Sequence, residues 1–509
     1  MRKTLWTKMA AAALVVLVFA FGACAETRNQ WDGQRAKYVF VFIGDGLGLQ
    51  QVNSAEVYKG SMDPQGSEPA IKKLTLSGLP VQGMITTYST NSFITDSAPA
   101  ATALASGYKT ENGVIGMDAT KTKKFTSVAK MAHDKGMRVG IITTVSLNHA
   151  TPASYYASQA SRNDYYEIGE QLIGSGFDYF AGGGIHQATG KKKDRKDLYD
   201  VAKEAGYSVL RTRDDILGAA PGTKLIAVNP VIDGSNAMPY DMDRTEKELS
   251  LAEFTKKGIE LLDNPNGFFM MVEGGKIDWA CHANDAASAI HDTLAFDESV
   301  KVAVDFAKAH PNETLIVVVG DHETGGMSIG FAGTQYETFF NKVSYQSESY
   351  ESFDRKIAEF KKRPDAERTF DNMMPLINEV FGLKTASADE RKALGEKAKA
   401  GDREAGKELA MVLSDLELGE VRAAYERSMQ GEEERSKDEA TYLLYGGYEP
   451  LSVKLTQILN QKSGIGWTTY AHTGIPVPIF AGGVGSDLFA GYYDNTDVAW
   501  KTMSIIGVN

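Results

Sequence analysis

The sequence predicts an α/β fold: a three-layer α/β/α sandwich with a mainly parallel central sheet and a mostly helical insertion. Short runs of β-branched and aromatic residues alternate with helical stretches, as in parallel strands joined by crossover helices. Each run is almost entirely apolar, which is typical of strands buried on both faces. A charged region separates the last predicted strand from the others.

Five apolar runs predict strands, and helical patterns lie between them. The predicted strands are 38–43, 138–145, 268–272, 314–319 and 476–481. The predicted helices include 97–106, 127–135, 246–263 and 279–309.

The charged region, about residues 345–462, is rich in Glu, Lys, Arg and Ala, and its segment 387–437 is typical of several charged helices. Charged helices are most often a solvated face. Because strands of the core type lie on both sides of this region, we expect an insertion within the core domain and not a separate module.

The N-terminus has the pattern of an export signal. Three basic residues precede an apolar run at 10–21, which has the length of a signal-peptide core and is short for a membrane span. Residues 1–25 are thus a predicted signal peptide, cleaved after Ala25 to give a periplasmic or secreted protein. Alternatively, 21–24 (Phe-Gly-Ala-Cys) is a lipobox, and a lipid on Cys24 tethers the protein to a membrane.

The formal net charge is −12, and it becomes −15 without residues 1–25, which carry three positive charges. Such an acidic chain is unsuited to nucleic acid as a partner. An anionic substrate would need bound metal ions to reverse the local field. Only Cys281 remains once Cys24 leaves or is lipidated, so no intrachain disulfide is expected.

Polar residues of the metal-ligand type follow the predicted strands. They are Asp45, His149, Thr151, Glu273, Asp321 and His322. Ligands of open α/β sheets bind outside the carboxyl ends of the strands, so we expect these side chains to form one cluster.

A second set of ligand-type residues follows the same pattern. Asp278 and His282 have i, i+4 spacing, which places them on one helix face, and His472 lies in a loop before the last strand. Carboxylate and imidazole ligands suit zinc, whereas carboxylates with a hydroxyl suit magnesium. Cys281 could be taken for a ligand, but adjacent helical positions face different directions, and we expect a buried thiol.

Ser97 is the candidate nucleophile, in the segment Thr95-Asp96-Ser97-Ala98-Pro99 at the start of an Ala-rich helix. A serine there faces free backbone amides, which favour a phosphate. A serine hydroxyl is a weak nucleophile unless a base or a metal activates it. Taken alone, Ser97 is more simply explained as an ordinary N-cap, and it is the neighbouring metal-ligand motifs that favour a nucleophile.

Seven motifs together resemble the alkaline phosphatase family, in that family's order and over residues 38–490. They are Gly44-Asp45-Gly46, Asp96-Ser97-Ala98, His149-Ala150-Thr151-Pro152, Val272-Glu273-Gly274, Asp278 with His282, Asp321-His322 and His472-Thr473-Gly474. The resemblance implies a catalytic domain over 30–509. It also implies an exported hydrolase of phosphate monoesters that works through a phosphoserine and forms a homodimer.

The resemblance further implies a site with two Zn²⁺ and one Mg²⁺. The first zinc would be held by Asp278, His282 and His472, and the second by Asp45, Asp321 and His322, with Ser97 as its reacting ligand. Asp45 would bridge to the magnesium, which Thr151 and Glu273 also hold. Arg162 matches the arginine that grips the phosphate.

Two positions depart from the best-known bacterial pattern of this family. His149 stands where that pattern has an aspartate, and Trp279 stands where it has a lysine. We expect His149 beside the magnesium site and not as a direct ligand, and Trp279 beside the phosphate. A neutral imidazole is a poorer partner for magnesium than a carboxylate, so the identity of the third metal stays open.

Other functions remain as alternatives. A sulfatase would require an arginine at position 101, which is Ala101. A phosphodiesterase of the same superfamily usually has a threonine nucleophile. A non-catalytic protein that binds phosphate or serves assembly would not need Ser97.

Overall fold

The computed structural model describes residues 31–63, 70–430 and 438–508. Its strands, numbered along the chain, are β1 (Tyr38–Gly44), β2 (Val81–Thr86), β3 (Arg138–Thr143), β4 (Tyr179–Gly182), β5 (Ser208–Leu210), β6 (Leu225–Val228), β7 (Phe268–Gly274), β8 (Thr314–Gly320), β9 (Glu323–Thr324), β10 (Ser328–Ile329), β11 (Ile465–Gly466), β12 (His472–Thr473), β13 (Val477–Gly483) and β14 (Gly491–Asp494). All five predicted strands are present, with ends within two residues of the prediction.

Ten strands form one sheet in the order β14-β2-β13-β8-β1-β7-β3-β4-β6-β5. Strand β13 runs antiparallel to β8 and β2, and the other pairs in this sheet are parallel. The prediction of a mainly parallel central sheet is therefore confirmed.

Helices cover both faces of the sheet. Along β1, Tyr38, Phe40 and Phe42 belong to one buried cluster, whereas Val39, Val41 and Ile43 belong to another. This division follows from the alternation of side chains along a strand. Because both sets are buried, each face of the sheet has its own hydrophobic layer, and the three-layer arrangement results.

The helices lie between the strands and in the charged region. The α-helices are Leu49–Ser61, Ser97–Ser106, Val128–Asp134, Ala150–Ala153, Tyr165–Gly174, Leu198–Glu204, Arg213–Gly218, Leu251–Leu262, Lys276–His282, Ala286–Ala309, Tyr350–Phe360, Phe370–Phe381, Ala388–Lys399, Arg403–Met411, Asp415–Met429, Glu439–Tyr445, Pro450–Ser463 and Thr496–Ile506. Short 3₁₀ helices occur at Leu76–Gly78, Asp241–Asp243, Phe340–Tyr345, Asp365–Glu367 and Ser486–Phe489.

One predicted helix, 279–309, is divided in the structure. The chain leaves the helical path after His282, where Asn284 has a φ of +51°. The Asp285 side chain then accepts a hydrogen bond from the Ser288 amide and caps a new helix. The prediction of one continuous helix was wrong because Asn and Asp, which favour left-handed and capping conformations, break it here.

The charged region is helical and has a core of its own. Its helices run from Tyr350 to Ser463 along the chain, between β10 and β11. Phe353, Phe381 and Leu455 belong to a buried cluster there that is separate from the two clusters on the sheet. The helix Ala388–Lys399 buries none of its residues, in keeping with a solvated face.

The predicted signal peptide and Cys24 fall within residues 1–30, outside the described residues, so export and lipidation stay predictions. In the described part of the chain, no helix combines the length and the apolar character required to cross a bilayer.

Candidate active site and metal centre

The register of the central strands brings the predicted ligands together. Gly44 at the end of β1 pairs with Gly274 at the end of β7 and with Gly320 at the end of β8. Asp45, Glu273 and Asp321 therefore lie side by side at the carboxyl edge of three adjacent strands. Their side chains are fully buried.

Asp45, Asp321 and His322 form one group whose ligand atoms lie within 4.8 Å of one another. His322 Nε2 lies 3.2 Å from Asp45 Oδ1 and 3.4 Å from Asp321 Oδ2. The amides of Gly46 and His322 donate to Asp321 Oδ1 at 3.1 and 2.9 Å and so fix this carboxylate. These are the residues predicted for the second zinc.

A glycine is required beside this group. Gly46 has a φ of +73°, which other residues rarely adopt. A Cβ on Gly46 would also lie 2.8 Å from the Asp278 Cα, too close for any side chain. Gly46 therefore allows β1 and the helix Lys276–His282 to approach each other closely, and this approach brings Asp278 next to Asp45.

Asp278, His282 and His472 meet on the other side of the site. Asp278 Oδ2 lies 3.3 Å from His282 Nε2, and Asp278 Oδ1 lies 3.6 Å from His472 Nε2. The Nδ1 atoms donate to backbone carbonyls, His282 to Tyr470 at 2.6 Å and His472 to Thr95 at 2.7 Å. In the neutral rings the Nε2 lone pairs then face each other at 3.1 Å, as in two ligands of one metal ion.

A third group contains Asp45, His149 and Glu273, whose ligand atoms also lie within 4.8 Å of one another. Thr151 Oγ1 donates to Asp45 Oδ2 at 3.5 Å. Glu273 Oε2 accepts a hydrogen bond from Thr143, whereas its Oε1 is buried without a hydrogen-bond partner. An unsatisfied carboxylate oxygen beside a second carboxylate fits a hard cation such as Mg²⁺.

The electrostatics of the cluster also fit bound cations. Burial, together with the charge of Asp45, raises the pKa of both Glu273 and Asp321 well above the usual range. Burial lowers the pKa of His472 to about 3, and the charge of His322 adds to this effect. Against the effect of burial, the neighbouring carboxylates raise the pKa of His282 and raise that of His322 to about 10. Buried carboxylates held this close favour positive charge between them, which divalent cations would supply.

Ser97 lies where the groups meet. Its Oγ is 3.2 Å from His322 Nε2 and donates to Asp45 Oδ1 at 3.4 Å. Ser97 is the first residue of its helix, and the N-cap is Asp96, whose side chain accepts from the Ala98 amide at 2.8 Å. The simple N-cap interpretation of Ser97 was therefore wrong, because Asp96 performs that role and the Ser97 hydroxyl contacts Asp45 and His322 instead.

Arg162 is held beside Ser97 by two contacts. Its Nη1 lies 3.5 Å from Asp96 Oδ1, and its Nη2 donates to His149 Nε2 at 3.2 Å. Burial and the nearby Arg162 charge lower the pKa of His149 to about 4, so the neutral ring can accept this bond. Trp279 packs edge-on against His149, with ring centroids 6.1 Å apart.

Cys281 is a buried free thiol, as predicted. Burial raises its pKa well above the usual range, and it belongs to none of the three ligand groups found in the described residues.

Several residues around the site were not predicted. Thr324 donates to Asp278 Oδ1 at 2.5 Å, and Thr143 donates to Glu273. Ser235, Tyr350, Glu351 and Tyr448 line the same cavity of about 350 Å³ as Ser97 and Arg162. Thr143 lies within the predicted strand 138–145, and Thr324 lies five residues after the predicted strand 314–319, so both could have been found there. The cavity residues lie in a loop and in the insertion and carry no motif.

Comparison with known proteins agrees with this geometry. The sequence profile of the family described as "Alkaline phosphatase" matches residues 36–508. Alkaline phosphatase 3 of Bacillus subtilis (strain 168) is 31% identical over 498 residues, which cover 96% of this chain and 92% of that protein. Alkaline phosphatase 4 of the same organism is 30% identical and covers 98% of this chain and 96% of its own length.

Solved structures give the same result. A cold-active alkaline phosphatase from a psychrophilic Shewanella sp. superimposes with a TM-score of 0.72 at 28% identity, over 92% of this chain and 99% of that one. Thermus thermophilus alkaline phosphatase superimposes with a TM-score of 0.73 at 26% identity, over 94% and 92% of the two chains.

Proposed function

This chain is an enzyme of the alkaline phosphatase family, and we propose that it hydrolyses phosphate monoesters through a phosphoserine on Ser97. One observation carries the proposal. The Ser97 hydroxyl lies at the meeting point of buried carboxylates and imidazoles, 3.2 Å from His322 Nε2 and 3.4 Å from Asp45 Oδ1. A non-catalytic phosphate-binding protein would have no use for a hydroxyl at this point.

The family is metal-dependent, and we propose two Zn²⁺ and one Mg²⁺. Asp278, His282 and His472 would hold the first zinc. Asp45, Asp321 and His322 would hold the second, and Asp45, Thr151 and Glu273 the magnesium. When bound, these ions would neutralise the carboxylates, lower the pKa of the Ser97 hydroxyl and stabilise charge on the transferring phosphoryl group. His149 lies close enough to Asp45 and Glu273 to be a further ligand of the third ion.

In the proposed reaction, Ser97 Oγ attacks phosphorus in line with the leaving oxygen. The bond from phosphorus to that oxygen breaks, the alcohol departs and takes up a proton, and a phosphoserine remains. Water then attacks the phosphoserine, so that inorganic phosphate leaves and Ser97 regains its hydroxyl. Arg162 pairs its guanidinium fork with two phosphate oxygens, and its contacts with Asp96 and His149 set the direction of that fork.

The substrate class is tested with p-nitrophenyl phosphate, bis-p-nitrophenyl phosphate and p-nitrophenyl sulfate. We expect the monoester to react with a kcat/KM at least about tenfold above the other two, because it alone is a dianion, and Arg162 and the cations would stabilise its additional charge. A faster diester or sulfate would show that the substrate class is wrong. With zinc and magnesium supplied, no hydrolysis of any of the three would favour a binding or assembly function.

We also propose a homodimer, because an apolar patch is exposed beside the site. Phe93 is 89% exposed, and Ile94 and Ile475 are exposed as well. A Cβ at Gly474 would lie 3.9 Å from Ile94 Cγ1, which places Ile475 in the same patch. Exposed apolar patches of this kind mark protein interfaces.

Light scattering is expected to give twice the chain mass for the wild type and a lower mass for Phe93→Asp. The variant Leu416→Asp, changed at another exposed apolar residue, should keep the wild-type mass. A monomeric wild type would refute the dimer.

A further inference from the structure

One wall of the cavity at Ser97 has no role in the proposed reaction. Arg162 and the ligand groups lie toward the phosphoryl position, whereas Ser235, Glu351 and Tyr448 line the same cavity from a loop and from the helical region. In-line attack by Ser97 directs the leaving group away from the serine. Groups on this wall would therefore meet the leaving alcohol.

Glu351 is the charged group on this wall. It lies in the first turn of the helix Tyr350–Phe360, and its side chain is 23% exposed. Its Oε2 accepts from Lys276 Nζ at 3.0 Å, and its Oε1 accepts from the Tyr350 hydroxyl at 3.4 Å. These contacts hold the carboxylate at the cavity and leave part of it accessible to a substrate bound there.

Lys276 does not neutralise Glu351 completely. Its ammonium group is fully buried and also binds Asp233 Oδ2 at 3.0 Å. It lies over the faces of Tyr240 and Trp279, 3.9 and 4.6 Å from the ring centroids. One lysine shared between two carboxylates leaves one negative charge in the trio.

That remaining charge is presented by Glu351. Asp233 Oδ1 accepts from the amides of Ser235 and Ala237, both at 2.9 Å, so its carboxylate is engaged within its own loop. Asp233 does not line the cavity, whereas Glu351 does. The cavity thus has a cationic end for phosphate and an anionic wall for the leaving group.

We propose that Glu351 selects the leaving group by charge, favouring phosphate esters of alcohols that carry an ammonium group over esters whose alcohol carries a carboxylate or a further phosphate. A cation in the leaving group gains a charge-assisted contact with Glu351. An anion is brought against a like charge, which opposes its binding. This inference rests on the proposed phosphomonoesterase activity and adds the substrate class to it.

Three substrates of similar size test the proposal: O-phosphoethanolamine, glycerol 1-phosphate and 3-phosphoglycerate, whose leaving groups are cationic, neutral and anionic. The readout is the ratio of kcat/KM for O-phosphoethanolamine to that for 3-phosphoglycerate. Glu351→Gln is expected to lower this ratio by about fivefold or more, because the variant keeps the shape and removes the charge. Glu359→Gln changes an exposed glutamate on the same helix and should leave the ratio unchanged.

Ser235→Lys provides a second test that does not disturb the buried lysine. Ser235 is an exposed lining residue, and an ammonium group there should also lower the ratio. Unchanged ratios in Glu351→Gln and Ser235→Lys, with p-nitrophenyl phosphate still hydrolysed, would overturn the inference. Failure of the metal-loaded wild type to hydrolyse any phosphate ester would refute the proposed function instead.

Discussion

Replacing Ser97 by alanine is expected to lower kcat for p-nitrophenyl phosphate by roughly 10³-fold or more, because the covalent route through phosphoserine is lost. The melting temperature should hardly change. Asp96, and not Ser97, caps the helix Ser97–Ser106, so the substitution removes no capping hydrogen bond. A large loss of activity at unchanged stability separates a nucleophile from a structural serine.

The control for this experiment is Ser344→Ala, which removes an exposed hydroxyl outside the site and should leave kcat at the wild-type value. A second readout is direct. Wild-type protein quenched in acid during turnover should carry one phosphoryl group on the peptide that contains Ser97. Retention of more than about a tenth of the activity in Ser97→Ala, or no phosphoryl group on this peptide, would contradict the mechanism.

The sheet and the clustering at its edge could be predicted because each rests on a local pattern. Residues 38–43 and 315–319 are apolar throughout, as is typical of buried strands, and each run is followed by a glycine and an aspartate. The carboxyl ends of parallel strands lie at the same edge of a sheet. Correct prediction of these two strands therefore also predicts that Asp45 and Asp321 lie near each other.

Other features could not be predicted because they depend on contacts between distant segments. Gly46 looks like an ordinary turn residue, yet only its lack of a Cβ leaves room for the Asp278 Cα, which would lie 2.8 Å from such an atom. Nothing in the sequence near Glu351 indicates that its helix reaches the cavity that contains Ser97. Lys276 resembles a solvated lysine, but its partners Asp233 and Glu351 lie 43 and 75 residues away.

The same limit applies to the metal ligands. His282 and His472 are 190 residues apart, and their facing Nε2 atoms depend on backbone carbonyls of Tyr470 and Thr95 that no motif identifies. The sequence shows which residue types are available for a metal. Only the folded chain shows which nitrogen of each imidazole points inward.

Removal of metal ions with EDTA is expected to abolish activity, lowering kcat by about 10³-fold or more, and zinc with magnesium should restore it. The melting temperature should fall together with activity, because ions that bind only the folded state stabilise it in proportion to the logarithm of their concentration over Kd. Without cations, the buried carboxylates of Asp45, Glu273 and Asp321 repel one another in a setting where water cannot screen them.

The control for chelation is EDTA already saturated with zinc, which should change neither kcat nor the melting temperature. The variant Glu273→Gln separates the contribution of magnesium from that of zinc, since Glu273 lies only in the group proposed for magnesium. We expect this variant to regain stability with zinc, but to gain less than the wild type when magnesium is then added. Full activity and an unchanged melting temperature after exhaustive chelation would mean that the buried carboxylates are held without cations. The role proposed for the ions at Ser97 would then be wrong, whatever the substrate.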